Sequence, residues 1–340
     1  MSSARQPARR RFLRGSLALG LLGAVGGRAA ALEPRRTWHA LAFGTRVSVT
    51  IAGAEPQRAD AAAKAALAEV AAIDAATYLH APGSALARLN RDGRLDASDP
   101  HLSALMRRAC HFGALSEGAF DVTVQPLWLR HFAASVRGVE LGVAQIEAAR
   151  ALIDWRAIRV APDGALRFDR AGMQVTVNGL VQGYASDRAW AVLRAHGIEH
   201  ALVDAGEYRA LGGAAPGAPW RIGVHRPDAH AAPGASALAD VVPLHDAALA
   251  SSGDDGFTFT ADRRLHHILD PRTGVSPGEL AGVTVLAADA CSADALSTAC
   301  MVLGVERGRA LVESVAGAVG LFQRRDGQLL RTRGWPHSVG

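Results

Sequence analysis

Hydrophobic and polar positions alternate over short stretches of this chain and follow helical spacing over longer ones. Residues 39–51 alternate around Gly44, which predicts a β-hairpin. Residues 59–73 are rich in alanine and place Leu67, Val70 and Ile73 at helical spacing, which predicts an amphipathic helix. Further helices are predicted over 102–115, 143–153, 182–196, 294–303 and 305–315.

From residue 157 onward, the sequence mainly predicts short strands separated by turn residues. Helices that lie between runs of antiparallel strands indicate the α+β fold class, with antiparallel or mixed sheets and flanking helices. A chain of 340 residues is long enough for two subdomains, and we expect them to be intertwined because no linker divides the sequence. Strands are predicted at 157–160, 166–169, 174–177, 200–204, 220–225, near 241, 247 and 257, at 266–269 and 282–287, and in a closing hairpin around 326–327.

The first 31 residues have the pattern of an export signal. Three consecutive arginines, Arg9 to Arg11, precede an apolar stretch over 15–27 and the small residues 29–31. This order resembles a twin-arginine signal peptide, and we expect it to deliver residues 32–340 to the periplasm as one domain. An uncleaved membrane anchor is the alternative, although thirteen apolar residues fall short of the ~20 needed to span a bilayer.

The charge balance changes once this segment is set aside. The whole chain has 37 basic and 32 acidic residues, but six of the arginines lie in the first 31 residues, which contain no acid. The remainder therefore carries 31 basic against 32 acidic side chains and is nearly neutral. Nucleic acid is not expected as a ligand, because binding phosphate backbones requires a clustered excess of Lys and Arg.

A carboxylate and a hydroxyl are predicted to lie on one face of the helix near residue 294. Asp294 and Thr298 are four residues apart, so their side chains lie one above the other. Carboxylate and hydroxyl oxygens suit a Mg²⁺ ion that also binds substrate phosphates. The alternative is that Ser292 and Asp294 cap the helix and that Thr298 packs within it.

A second polar cluster occupies residues 266–274. It combines two imidazoles, His266 and His267, with Asp270 and Arg272 before a sharp turn. A proton acceptor, a carboxylate and a cation within nine residues suit acid–base chemistry. Strand alternation would place the two imidazoles on opposite faces, so that at most one faces a given site. An isolated histidine exposed to solvent or serving as a cap is the alternative.

Residues 178–187 form a third candidate, a glycine-containing turn between a strand and a helix. Gly179 and Gly183 would let the backbone approach a ligand closely and direct helix N–H groups at an anion. Glycines at such a turn are also used for packing alone. The segment lacks the Walker pattern and Gly-x-Gly-x-x-Gly, which disfavours the common nucleotide-triphosphate and dinucleotide folds.

Taken together and in order, these motifs resemble the FAD:protein FMN transferases, the ApbE-type flavin transferase family. The similarity extends over almost the whole chain after the signal segment. Its motifs are Phe43-Gly44-Thr45, Thr77-Tyr78 with Pro82, Ser84 and Asn90, Gly118 to Thr123 with Pro126-Leu127, Asn178 to Asp187, Val203 to Glu207, Ser252-Gly253-Asp254, His267 to Gly274, and Ala293 to Thr298.

The resemblance implies an activity and a set of site residues. The family binds FAD with Mg²⁺ at its pyrophosphate and transfers FMN to a Thr or Ser hydroxyl of an acceptor protein, releasing AMP. It implies that Asp294, Thr298 and the carbonyl of Gly179 are the metal ligands, and that His267 and Asp270 lie beside the reacting phosphates. The positions that line the flavin nucleotide in the family correspond here to Phe43, Tyr78, Ala119, Phe120, Asp121, Thr176, Gln182 and Ile268.

Three of these positions depart from the usual family residues. Gln182 stands where Lys or Glu is common, Thr176 where Asp is common, and Phe43 where Met is common. A charged contact to the nucleotide is therefore absent, and FAD affinity is expected to differ. The form of the 178–184 segment, together with the twin-arginine signal, is similar to the branch associated with nitrous oxide respiration, whose acceptor is a membrane-bound regulatory flavoprotein.

Two other functions use the same residues. A Mg²⁺-dependent pyrophosphatase would cleave FAD to FMN and AMP with water as the acceptor. A non-catalytic periplasmic flavin carrier would bind FAD without changing it, but it would have no need of a metal site at the pyrophosphate. The retention of His267, Asp294 and Thr298 therefore favours the enzymes over the carrier.

Overall fold

The computed structural model describes residues 35–97, 99–227 and 237–336. The predicted signal segment, 1–31, lies outside the described residues. Within them the chain forms an α+β fold, as the sequence predicted.

The described part of the chain contains thirteen strands and seven α-helices. The strands are β1 (Arg35–Ala42), β2 (Thr45–Ala52), β3 (Arg94–Leu95), β4 (Ile158–Val160), β5 (Leu166–Phe168), β6 (Ala201–Asp204), β7 (Tyr208–Leu211), β8 (Trp220–His225), β9 (Leu238–Leu244), β10 (Ala248–Gly253), β11 (Leu280–Ala287), β12 (Val319–Arg324) and β13 (Leu329–Arg331). The helices are α1 (Pro56–Thr77), α2 (Ala85–Asp92), α3 (Pro100–Leu115), α4 (Gln125–Val136), α5 (Val143–Arg150), α6 (Val181–Ala195) and α7 (Ala290–Ser314).

Eight strands form the main sheet, in the order β1-β2-β6-β7-β10-β11-β12-β13. Neighbouring strands in this sheet pair in antiparallel fashion. Two smaller sheets, β3-β5-β4 and β8-β9, flank it. Helix α6 packs against both α1 and α7, and α7 lies along β10 and β11. These contacts bring the start of α6 and the start of α7 together beside the middle of the main sheet.

Hydrophobic side chains on the two faces of the main sheet belong to two different cores. Val283 and Val285 of β11 join the large core that contains the helices, whereas Leu286 joins a smaller core beneath the β8-β9 hairpin. All eight residues of β11 are consequently buried. The sequence of a strand that is covered on both faces is a nearly continuous run of apolar residues. Residues 280–287 have this pattern.

Several predicted elements differ from those observed. Residues 174–177 join no sheet, and the side-chain amide of Asn90 instead hydrogen bonds to both backbone groups of Val175, at 2.7 and 2.8 Å. Residues 257 and 266–269 form only an isolated bridge between Thr258 and His266. By contrast, the division predicted between helices 294–303 and 305–315 is confirmed, because Gly304, with a non-helical φ of +77° and ψ of −173°, interrupts α7 there. Helices α2 and α4 were not predicted.

None of the described helices combines the length and the apolar content needed to cross a membrane.

Candidate active site

The N-terminus of α7 is capped by acidic residues that precede the predicted metal ligand. The carboxylate of Asp289 accepts a hydrogen bond from the backbone N–H of Ser292 at 2.9 Å. The backbone N–H groups of residues 290 and 291 donate to Asp187 of α6 at 2.8 and 2.9 Å. Because these carboxylates already satisfy the first free amides of the helix, Asp294 is not its cap. The capping alternative for Asp294 is therefore wrong.

Asp294 lies one turn further along α7, in a buried position. Its side chain is 5% exposed and accepts one hydrogen bond, from the backbone N–H of Gly183 at 3.1 Å. Burial, which the Gly183 amide only partly offsets, raises the pKa of Asp294 to about 7, and the nearby charge of Asp187 adds to this. A carboxylate with so little compensation for its lost hydration would be stabilised by a bound cation.

Thr298 and Gly179 are in direct contact on the same side of α7. A side-chain β-carbon built on Gly179 would lie 3.1 Å from Thr298 Oγ1 and 3.1 Å from the ring of Phe120. A side chain at residue 179 would therefore crowd both the Thr298 hydroxyl and the Phe120 ring. The structure thus brings together two of the three predicted metal ligands, with Phe120 of the predicted flavin site beside them.

The chemistry of these groups fits Mg²⁺. A carboxylate, a hydroxyl and a backbone carbonyl are all hard oxygen donors. The described residues contain no group of three or more His, Cys, Asp or Glu side chains that could hold a metal. A cation held by Asp294, Thr298 and Gly179 would therefore depend on water and on ligand phosphate oxygens for its remaining coordination.

Glu207 is a further acidic residue of this region, one for which the sequence alone predicted no role. It is buried at the end of the turn between β6 and β7, and its carboxylate accepts a hydrogen bond from the backbone N–H of Ser251 at 3.1 Å. Burial and the charge of Asp294 raise its pKa well above the ordinary value. The family motif that ends in Gly206-Glu207 was the signal that could have identified it.

Gln182, a predicted flavin contact, packs on this same turn. A β-carbon built on Gly206 would lie 2.1 Å from its Nε2 atom, and Gly206 has a φ of +108°, so only glycine fits there. The first turn of α6 therefore places Gln182 beside Glu207 and Gly183 beside Asp294.

The two neighbouring histidines have different environments, although they do not lie on a strand. His266 is fully buried, with Nε2 3.2 Å from the carbonyl oxygen of Pro277, and burial lowers its pKa to about 4. The ring of His267 is anchored through Nδ1, which lies 3.2 Å from the carbonyl oxygen of Phe257 and 3.3 Å from its N–H. Burial also lowers the pKa of His267, so its neutral, proton-accepting form is favoured.

Asp270 forms an ion pair within its own turn. Its two carboxylate oxygens accept from Nε and Nη2 of Arg272, each at 2.9 Å, and its backbone carbonyl accepts from the N–H of Gly274 at 2.8 Å. The residue therefore shapes the 270–274 turn that follows His267. Its predicted place beside the reacting phosphates stays a prediction.

The remaining predicted flavin contacts divide into buried and peripheral positions. Ala119, Phe120 and Ile268 are buried in the large core. Asp121 is fixed by hydrogen bonds from Thr123 and Trp155, at 2.6 to 3.0 Å, and burial raises its pKa to about 6.

The backbone N–H of Thr176 donates to the carbonyl of Val122 at 2.8 Å, which joins its strand-like segment to the 119–122 segment. Phe43 has a φ of +52° in the tight turn between β1 and β2, an unusual conformation for a bulky residue. Tyr78, at the end of α1, is 48% exposed and contacts the ring of His80. The described contacts therefore connect Thr176 to the 119–122 segment and pack the partly buried Phe43 against the large core, but they leave Tyr78 exposed.

Two cavities of about 310 Å³ each lie outside this group of residues. One is lined by Arg107, Arg108, His111, Phe112 and Ser292. The other lies between α2, α4 and the loop that follows α1, and it is lined in part by His80, Asn90 and Gln125. Neither contains Asp294, Thr298 or His267.

Comparisons with known proteins agree with the motifs. A profile of the ApbE family matches residues 43–322. The FAD:protein FMN transferase of Treponema pallidum is 31% identical over 327 residues, which cover 88% of this chain and 87% of that protein.

Two solved structures have the same fold. The ApbE protein of Thermotoga maritima superposes with a TM-score of 0.77 and 28% identity, covering 88% of this chain and 97% of that structure. The flavinyl transferase ApbE of Pseudomonas stutzeri, in its apo form, gives a TM-score of 0.75 and 28% identity, covering 90% and 97%. The resemblance drawn from the ordered motifs is confirmed: the chain belongs to the ApbE family.

Proposed function

We propose that this protein is an FAD:protein FMN transferase that requires Mg²⁺ and uses a Thr or Ser hydroxyl of an acceptor flavoprotein. The observation that carries the proposal is the assembly at the α6–α7 contact, where Gly183 binds Asp294 and Gly179 contacts Thr298. The family membership and the transferase name of the Treponema pallidum relative support it.

In this reaction the acceptor oxygen attacks the phosphorus of the FMN half of FAD. A new P–O bond forms, the P–O bond to the AMP phosphate breaks, and AMP leaves with the electron pair of that bond. Asp294, Thr298 and the Gly179 carbonyl would hold Mg²⁺, which supplies charge stabilisation at the pyrophosphate oxygens when bound. Positioning of the two substrates supplies most of the remaining rate enhancement.

His267 is the candidate for accepting the proton of the acceptor hydroxyl. In the tautomer in which Nδ1–H donates to the carbonyl oxygen of Phe257, Nε2 has the free lone pair that can accept a proton, and the lowered pKa favours the neutral imidazole. Asp270 and Arg272 hold the turn that follows it. The proton would pass from the hydroxyl to Nε2 as the new P–O bond forms.

The proposed setting is the periplasm, reached through the twin-arginine signal in residues 1–31. An exported or membrane-bound flavoprotein is then the natural acceptor, and a regulator of nitrous oxide respiration is the candidate suggested by the branch resemblance. Residues 32–340 would form the transferase domain.

The test is incubation of the protein with FAD, Mg²⁺ and a candidate acceptor, followed by mass spectrometry of the acceptor. Covalent FMN on a Thr or Ser, with an equal amount of AMP, is the expected result. FMN and AMP formed at the same rate without any acceptor would support the pyrophosphatase instead. FAD recovered unchanged in all conditions would support the carrier.

A further inference from the structure

Three hydroxyl groups form a continuous hydrogen-bonded chain beside the proposed metal site. Ser297 Oγ donates to the backbone carbonyl oxygen of Asp294 at 2.9 Å. Ser252 Oγ, on β10, lies 2.7 Å from Ser297 Oγ and 3.2 Å from Thr298 Oγ1. Ser252 therefore connects the side chain of one predicted metal ligand to the backbone of the other.

The direction of each hydrogen bond follows from the number of protons available. A hydroxyl has one proton to donate, and a carbonyl oxygen can only accept. Since Ser297 uses its proton on the Asp294 carbonyl, Ser252 must donate to Ser297. The proton of Ser252 is then also used, so Thr298 must donate to Ser252.

This order determines how Thr298 presents its oxygen. With its proton held by Ser252, the Thr298 hydroxyl keeps its lone pairs for other partners, and a β-carbon built on nearby Gly179 would lie 3.1 Å from the same oxygen. A neutral hydroxyl binds a cation through a lone pair and has to donate its proton elsewhere. Groups that accept such protons orient the ligands of a metal and affect its affinity.

We infer that Ser252 is a positioning residue for the metal site, acting through Thr298 with the help of Ser297. The inference rests on the proposed function, because it assumes that Thr298 ligates Mg²⁺. A purely structural role for Ser252 would be to hold β10 against α7.

The adjacent residue on β10 provides a matched control for that structural role. Ser251 Oγ forms a hydroxyl pair of the same kind, 2.8 Å from Thr284 Oγ1 of β11. Its backbone N–H donates to the carboxylate of Glu207 at 3.1 Å, a hydrogen bond that Ser251→Ala leaves intact. Ser252→Ala therefore removes two hydroxyl–hydroxyl hydrogen bonds and Ser251→Ala removes one, both from the same strand.

The experiment measures binding of Mn²⁺, as a probe for Mg²⁺, by the electron paramagnetic resonance signal of free Mn²⁺ with ADP present to supply a diphosphate. We expect Ser252→Ala to weaken Mn²⁺ binding about tenfold. Ser251→Ala should stay within about twofold of wild type, and Ser252→Thr, which retains a hydroxyl, should bind more tightly than Ser252→Ala. ADP binding without metal should be unchanged in all variants, and thermal melts should show that each is folded.

The outcomes separate this inference from the proposed function. If wild type binds Mn²⁺ tightly and Ser252→Ala binds it as well as Ser251→Ala does, the metal site is supported and the role of Ser252 is overturned. Failure of the wild-type protein to bind Mn²⁺ with ADP would overturn the metal site itself and the inference with it.

Discussion

The backbone N–H of Gly183 donates to the carboxylate of Asp294 at 3.1 Å, although the two residues lie on different helices and far apart in the sequence. The contact is possible because Gly183 has no side chain. A β-carbon at this position would lie only 2.3 Å from the carbonyl oxygen of Ala290, so α6 and α7 meet here backbone to backbone.

Gly183→Ala should therefore destabilise the protein, even though alanine is the better helix former by about 1 kcal/mol. Forcing α6 and α7 apart is expected to cost about 1–3 kcal/mol net, measured as the free energy of unfolding in urea. Gly83→Ala is the control, because a β-carbon there meets no heavy atom within 4 Å. Equal stability of the two variants would mean that the helices separate without cost.

Asp294 and Asp289 should have separable effects on activity and stability. Asp294→Asn is expected to reduce FMN transfer at least about a hundredfold while leaving the melting temperature unchanged or higher, because it removes a poorly compensated buried carboxylate. Asp289→Ala removes the cap of α7 and should cost about 1 kcal/mol with the transfer rate largely kept. Normal transfer by Asp294→Asn would exclude Asp294 as an essential metal ligand.

Replacing His267 should mainly reduce the transfer rate, whereas replacing His266 should mainly reduce the stability. His267→Ala is expected to lose about a hundredfold or more in transfer rate with FAD binding largely kept, as for loss of a general base. His266→Ala should lose less than about tenfold in rate but should unfold more readily, because His266 is fully buried and bonded to Pro277. Transfer rates and thermal melts of both variants are the measurement, and equal rate losses at equal stability would contradict the assignment.

His266 should also make stability depend on pH. Its pKa is about 4 in the folded protein against an ordinary value of 6.5, so the unfolded chain takes up the proton first as the pH falls. The contribution of neutral His266 to the free energy of unfolding is fully present above about pH 6.5. It is lost between pH 6.5 and 4, by about 3 kcal/mol in total. His266→Gln should show a shallower decline of unfolding free energy over this range than wild type, and parallel declines would assign the loss to other groups.

Export should depend on the paired arginines near the N-terminus. The double variant Arg9→Lys with Arg10→Lys is expected to leave the protein in the cytoplasm, since the signal resembles one that is read through these arginines. Immunoblots of periplasmic and cytoplasmic fractions measure this, with Arg5→Lys as a control outside the pair. Periplasmic delivery of the double variant at the wild-type level would contradict the twin-arginine assignment.

Local patterns in the sequence were sufficient for many of the elements and for the family. The alternation around Gly44 predicted the β1-β2 hairpin, and the apolar spacing over 59–73 lies within the observed α1. Such elements depend on which face of a single segment is apolar, and a short stretch of sequence records that directly. The ordered motifs identified the ApbE family because each retains its residue types and their spacing.

Contacts between distant segments were decided only by the tertiary structure. Residues 174–177 have the pattern of a strand, yet the side chain of Asn90 replaces the neighbouring strand. From the sequence, Ser292 and Asp294 were candidate caps of α7, whereas the structure places Gly183 of α6 beside Asp294 and gives the capping to Asp289. These outcomes depend on how separate elements pack, because a hydrogen bond or a buried charge needs a partner that no local pattern specifies.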